Sequence, residues 1–197
     1  MSSVRENIIA IASRLFFEYG IRSVSIDDIC SKLQISKKTF YSIFSQKDEL
    51  VETCLNTQYI ESQCRVEEKL AGTNAIEGLI TIMKEIRKNI AEQTPVIFYD
   101  LQKFYPQLYA QLEKDRVKLI QSGCLRNLQR GIAEGYYRED LQAELVSLFF
   151  ANIPNTFLPM SETKKYSKKQ LFDFFIDMLI RVIASPKGKE YFKMYYN

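Results

Sequence analysis

Between Ile29 and Lys47 the chain carries four lysines, Lys32, Lys37, Lys38 and Lys47, and no acidic residue. Positive charge gathered so closely suits phosphate oxygens. Lys37, Lys38 and Thr39 stand together, with the reach and donor chemistry to touch base edges as well. Recognition of a nucleic acid is the chemistry on offer. Catalysis is poorly served by comparison: the 197 residues include no histidine, which excludes Ser-His-Asp and Cys-His nucleophiles, HExxH zinc sites and the Glu-x-x-His sites of di-iron bundles. No glycine-rich phosphate loop or dinucleotide fingerprint is present to hold a nucleotide cofactor. Neither catalytic residues, nor a metal, nor a cofactor is expected, and the chain is not read as an enzyme.

Two short helices must carry the lysines. Ser25, followed three residues later by Asp28, starts the first, and Ile26, Ile29, Cys30 and Leu33 recur at helical spacing. After a four-residue turn that lacks glycine, Ser36 caps a second helix. Its apolar members Phe40, Ile43 and Phe44 fall on one face and leave Lys37, Lys38, Thr39 and Tyr41 on the other. Ser45 with Asp48 opens a third. A helix, a tight turn and a second helix with a small, polar, basic face is what a major groove of DNA admits. Net charge is only +3, so the chain is no uniformly basic nucleic-acid coat. A second basic stretch, Lys164 to Lys193, holds eight cations against three acids, but they flank an apolar helix and read as solvated surface.

Other elements hold this pair in place. A helix from about Ser3 to Tyr19, with Ile8, Ile11, Ala12, Leu15, Phe16 and Tyr19 on its seam and Gly20 as its stop, should pack over it. A longer helix from Gln46 to about Leu70, roughly 36 Å at 1.5 Å per residue, leads into a body. Body helices are expected at about 75–92, 95–103, 107–134, 141–158 and 168–184, about nine helices in all, with Pro154 breaking or kinking the fourth of these. The expected division is a helix-turn-helix head over residues 1–46 and a body over 47–197. Cys30, Cys54, Cys64 and Cys124 show no paired spacing, and no stretch approaches the ~20 apolar residues of a membrane span. A soluble, cytoplasmic protein is expected.

Ile8, Ala12, Leu15, Phe16, Gly20, Ser25, Ile26, Ile29, Leu33, Ser36, Thr39, Tyr41, Phe44, Lys47 and Leu50 stand at the spacings of the TetR-type repressor DNA-binding domain, which residues 5–50 resemble closely. The resemblance implies an all-α protein with a three-helix head, a larger helical ligand-binding and dimerisation body, and repression relieved by a small molecule. Beyond residue 50 it rests on helix count and on the segment from Gly131 to Arg138. Ser25, Tyr41 and Lys47 match family positions that commonly contact phosphate. With Ser36, Lys37, Lys38 and Thr39 they form the expected DNA-binding set. Glycine often stands in that family where this chain has Lys38, so here the groove approach is less close or Lys38 itself reads a guanine.

Two body helices are apolar nearly all round. In the 168–184 helix only Asp173, Asp177 and Arg181 form a thin polar stripe, and the helix from Leu141 has apolar residues along two sides. Leu145, Phe149, Phe172, Phe175, Leu179 and Val182 are therefore expected in a four-helix interface across a twofold axis, the alternative being two central helices of a monomer. By resemblance the ligand pocket lies among the body helices, with Tyr99, Tyr105, Tyr109, Cys124, Phe149 and Asn152 as candidates and an apolar or aromatic ligand favoured. The reading is a homodimeric transcriptional regulator, a repressor whose partners are double-stranded operator DNA and a small-molecule effector, with no membrane. Two alternatives stay open: a ligand-independent regulator controlled by a protein partner, and a helical-bundle carrier or enzyme with a vestigial head.

Overall fold

The computed structural model describes residues 3–92, 95–162 and 165–195. The all-α architecture is found: the regular elements are α1 (Val4–Tyr19), α2 (Ile26–Leu33), α3 (Lys37–Tyr41), α4 (Lys47–Leu70), α5 (Ala75–Glu92), α6 (Pro95–Phe104), α7 (Pro106–Ala133), α8 (Ala143–Glu162), α9 (Lys168–Ile183) and α10 (Pro186–Tyr195). That is ten helices among the described residues where about nine were expected. The addition is α10, whose PKGKEYFKMY sequence mixes charge and glycine enough to hide its periodicity. Pro154 does not end its helix. α8 runs on to Glu162, because one missing backbone donor leaves the other hydrogen bonds of a 20-residue helix in place.

The chain divides into two compact units, Met1–Arg65 with Thr94–Leu112, and Val66–Gln93 with Glu113–Asn197. The first has its own core, built from Ile8, Ala12 and Phe16 of α1, Ile29 of α2, Phe40 of α3, Leu50 and Val51 of α4, and Ile97 and Leu101 of α6. Helix α1 starts with a reciprocal cap between Ser3 and Glu6 and stops at Gly20, which takes φ 86° and donates its N–H to the Phe16 carbonyl at 3.0 Å. The inclusion of α6 departs from the expected boundary at residue 46. Ile97 and Leu101, 2% and 3% exposed, complete the head's apolar interior from a helix placed in the body by its sequence position.

The second unit packs Ile76 and Ile80 of α5, Leu128 of α7, and Phe172, Phe175, Ile176 and Leu179 of α9 around Tyr137. A Cβ at Gly131 would lie 2.1 Å from the Tyr137 ring, so only glycine lets that ring lie against α7. Here is the physical content of the Gly131-to-Arg138 segment. The ring is buried and its hydroxyl donates to Asn127 Oδ1 at 2.9 Å.

Three of the six expected interface residues lie inside: Phe172, Phe175 and Leu179 are buried within the second unit, because α9 turns them towards α5 and α8. Exposed on α9 instead are Phe174, Met178 and Val182, spaced i, i+4, i+8, while on α8 Leu145, Leu148 and Phe149 are exposed. The polar stripe is also engaged: Asp177 pairs with Arg181 at 2.7 Å, and Asp173 accepts from Arg87 of α5 at 2.9 Å.

Candidate DNA-binding interface

The helix pair is organised by reciprocal capping. At the start of α2 the Asp28 N–H donates to Ser25 Oγ at 3.1 Å while the Ser25 N–H donates to Asp28 Oδ2 at 2.7 Å. Those bonds from Ser25 hold the Asp28 carboxyl below its ordinary range. The turn that lacks glycine places Gln34 at φ 55°, ψ 39°, in the left-handed region, and closes with the Ile35 N–H on the Cys30 carbonyl at 3.1 Å. Ser36 then caps α3, accepting from Thr39 N at 3.0 Å. The helix proper ends at Tyr41, short of the expected Phe44. Ser42 takes over, its hydroxyl bonding the Thr39 carbonyl at 2.7 Å, while Ile43 and Phe44 both donate to the Phe40 carbonyl. Phe40 and Phe44 lie in the core and anchor α3, so Ser36, Lys37, Lys38 and Tyr41 are left exposed and Thr39 half-buried.

The four lysines of the stretch are not equivalent. Lys37 forms an ion pair with Asp27 of α2 at 2.8 Å, and Asp27 lies two residues before the acid-free stretch begins. Lys47 turns inward. Its ammonium donates to the carbonyls of Ile21 and Val24 and sits over the Phe16 ring, and burial pushes its pKa down. A lysine expected to meet phosphate thus ties down the α1–α2 turn. Lys32 and Lys38 make no ion pair among the described residues and face solvent.

Helix α6 grips that same turn. Asp100, 6% exposed, accepts the Arg22 N–H at 2.9 Å, and a Cβ on Gly20 would lie 3.0 Å from its Oδ2 and 2.6 Å from Val96 Cγ1. The Arg22 guanidinium lies over the Phe104 ring at 4.5 Å. Tyr105, just after α6, donates its hydroxyl to Asp48 Oδ1 at 3.0 Å, and burial together with that carboxylate pushes its pKa up to about 12. Asp48 therefore does not cap α4; Ser45 is held instead by Glu49 Oε2, which accepts its N–H and hydroxyl at 2.8 Å each. Sequence reasoning missed Asp27, Arg22 and Asp100. A buried acid in an amphipathic helix was the only signal for Asp100, and nothing in its local pattern named its partner.

The six ligand-binding candidates are not gathered within either unit. Tyr99, Tyr105 and Tyr109 belong to the first; Tyr99 is exposed and paired with Lys103, and Tyr109 accepts from Gln102 at 3.1 Å. Cys124, Phe149 and Asn152 belong to the second, where Cys124 borders the core while Phe149 and Asn152 are exposed on α8. The Asn152 amide donates to its own helix, to the Leu148 carbonyl at 2.9 Å. An open cleft of about 850 Å³ in the first unit runs between α1 and α4, past Ile9, Ser13, Phe17 and Thr57, and is lined by none of the six.

Residues 8–54 match the family described as bacterial regulatory proteins, tetR family, over the span in which the capped helix pair and its supports lie. Over that span the chain carries a DNA-binding domain of the TetR type. The chain is 26% identical over 153 residues to the transcriptional repressor KstR2 of Mycobacterium tuberculosis, covering 76% of each chain. The solved structure of KstR2, a ketosteroid transcriptional regulator, matches at TM-score 0.54 and 23% identity over 94% of this chain and 97% of that one. The reduced form of Escherichia coli NemR matches at TM-score 0.72 and 13% identity, over 93% and 100%. A regulator from Saccharomonospora viridis, solved with choline, matches at 0.68 and 20%, over 94% and 100%. At such identities these structures show the fold alone, over 93–94% of the chain. No helix among the described residues is long and apolar enough to cross a membrane.

Proposed function

We propose that this TetR-type regulator binds operator DNA as a homodimer and represses transcription until a small, largely apolar or aromatic ligand lowers its affinity. The observation that carries DNA binding is the outward surface of α3, where Lys38, Tyr41 and the capped Ser36–Thr39 turn are presented by a buried Phe40–Phe44 anchor. On this reading Lys37, Lys38 and Thr39 reach base edges, and Ser25 and Tyr41 hold phosphate. Lys47 contributes by fixing the turn. The apolar stripe Phe174, Met178 and Val182, together with Leu145, Leu148 and Phe149, is the surface for a second copy. An effector is supported by the ketosteroid regulator and the choline complex among the relatives. Residues 1–46 meet DNA, and α6 carries the ligand's effect to them through Asp100 and Phe104.

A mobility-shift assay with the DNA flanking the protein's own gene tests this. The wild type should retain a duplex whose half-site centres lie about one helical turn, ~34–36 Å, or a multiple apart. Phe174→Glu with Val182→Glu should give monomers by light scattering and lose operator affinity, although neither residue belongs to the first unit. A small apolar ligand should weaken operator binding ~5- to 150-fold, and operator should weaken ligand binding by the same factor. A wild-type protein that is monomeric at micromolar concentration, or that ignores DNA in low salt, refutes the proposal.

A further inference from the structure

We infer that Asp27 is a specificity-determining residue that cancels Lys37 on non-operator DNA, so that the recognition surface discriminates against phosphate alone. This rests on the DNA-binding reading above and goes beyond it. The lysines of α3 are its attractive feature, yet the structure sets an acid among them. The Asp27 carboxylate, in the first turn of α2, meets the ammonium of Lys37, the first residue of α3, at 2.8 Å, with both side chains about three-fifths exposed at 63% and 62%. The neighbouring Asp28 is engaged in the Ser25 cap, which leaves Asp27 as the α2 acid turned to the lysines.

Non-specific binding to a duplex comes from cations that displace counterions, each adding about 0.9 to the slope of log affinity against log salt. A lysine already neutralised by an acid at contact distance releases no net counterion. The pair therefore adds nothing on random sequence. On an operator, where an acceptor on a base edge competes for the ammonium, Lys37 can leave Asp27 and gain a directed hydrogen bond. Asp27 thus lowers affinity for phosphate more than it lowers the reward for the right base. The count of lysines in the sequence overstates the charge that indiscriminate DNA encounters.

Full-length protein and its Asp27→Asn, Lys37→Met, Asp27→Asn/Lys37→Met and Asp27→Glu variants would be titrated by fluorescence anisotropy against a random-sequence duplex and an operator duplex between 50 and 200 mM salt. Asp27→Asn should bind the random duplex more tightly, with a slope steeper by about 0.9, an extra ~3.5-fold loss across that range, and a smaller gain on operator. Lys37→Met should shift the slope by about the same amount in the opposite direction, and the double variant should return to the wild-type slope. Asp27→Glu, which keeps the charge, should behave as wild type. A random-duplex slope unchanged by Asp27→Asn overturns the inference, as does loss of operator affinity without steepening, which would make Asp27 merely a positioner of Lys37. A wild type that binds neither duplex overturns the DNA reading and the inference with it.

Discussion

Replacing Asp100 with alanine isolates the grip of α6 on the α1–α2 turn. Its carboxylate is 6% exposed and accepts the Arg22 N–H at 2.9 Å. An amide stripped of its acceptor in a buried setting costs about 1–3 kcal/mol. Arg22 itself is exposed, so water can reach the freed N–H in part, and the expected loss is about 1–2 kcal/mol. Asp100→Asn keeps an acceptor oxygen in place and gives up only the charge, so it should lose less than about 1 kcal/mol. Gly20→Ala reaches the same contact from the other side. At φ 86° and ψ 157° Gly20 sits in a region that only glycine occupies comfortably, worth about 1–3 kcal/mol before its Cβ meets Val96 Cγ1 at 2.6 Å. Urea titration gives the global number, and hydrogen exchange resolves where it acts: faster exchange should be confined to the α1–α2 amides and α6 for Asp100→Ala. Operator affinity should fall only in proportion to the fraction of molecules in which the freed turn opens. Asp100→Ala that matches wild type in stability and in exchange at the turn would refute the claim that α6 holds the head.

Two further outcomes are expected. Gln34→Gly should stabilise the protein, since relieving a left-handed non-glycine residue returns about 1–2 kcal/mol and glycine's greater unfolded freedom takes back about 0.5–1, a net gain near 0.5–1 kcal/mol readable as a rise of a few degrees in Tm. The Tyr105 hydroxyl, held up to about 12 against about 10 in an unfolded chain, keeps its proton in the folded state while the unfolded state loses it, so stability should fall as pH rises between those values. Tyr105→Phe should remove that component of the alkaline slope, measured as a difference from wild type in urea titrations.

The head was readable because short-range rules made it so. Ser25 with Asp28, Ser36 with Thr39 and the spacing of Phe40 and Phe44 are each settled within four residues, and the structure shows those caps and anchors in place. What sequence could not weigh was who meets whom at long range. Lys47 and Lys38 look alike along the chain, yet one is turned onto carbonyls that lie 23 and 26 residues away. The burial of α9 was legible as an excess of apolar residues, but not its rotation. Phe174 and Phe175 are adjacent in sequence, and only the positions of α5 and α8 decide that the second is interior and the first is not. Pro154 and α10 failed for a local reason: each contains a residue that periodicity treats as a stop and a helix end or interior can accommodate.

The presence of α6 in the first core bears on how far this head could be transplanted. A chimera that joins residues 1–46, or even 1–65, to a foreign body would sever Ile97 and Leu101 from Leu50, Val51 and Phe16, leaving an apolar face and an ungripped turn on the grafted part. The portable module is discontinuous. Any exchange of operator preference between this protein and a relative must either carry the 94–112 segment along with the head or restrict itself to the outward residues of α2 and α3, which can be rewritten without touching the core that supports them.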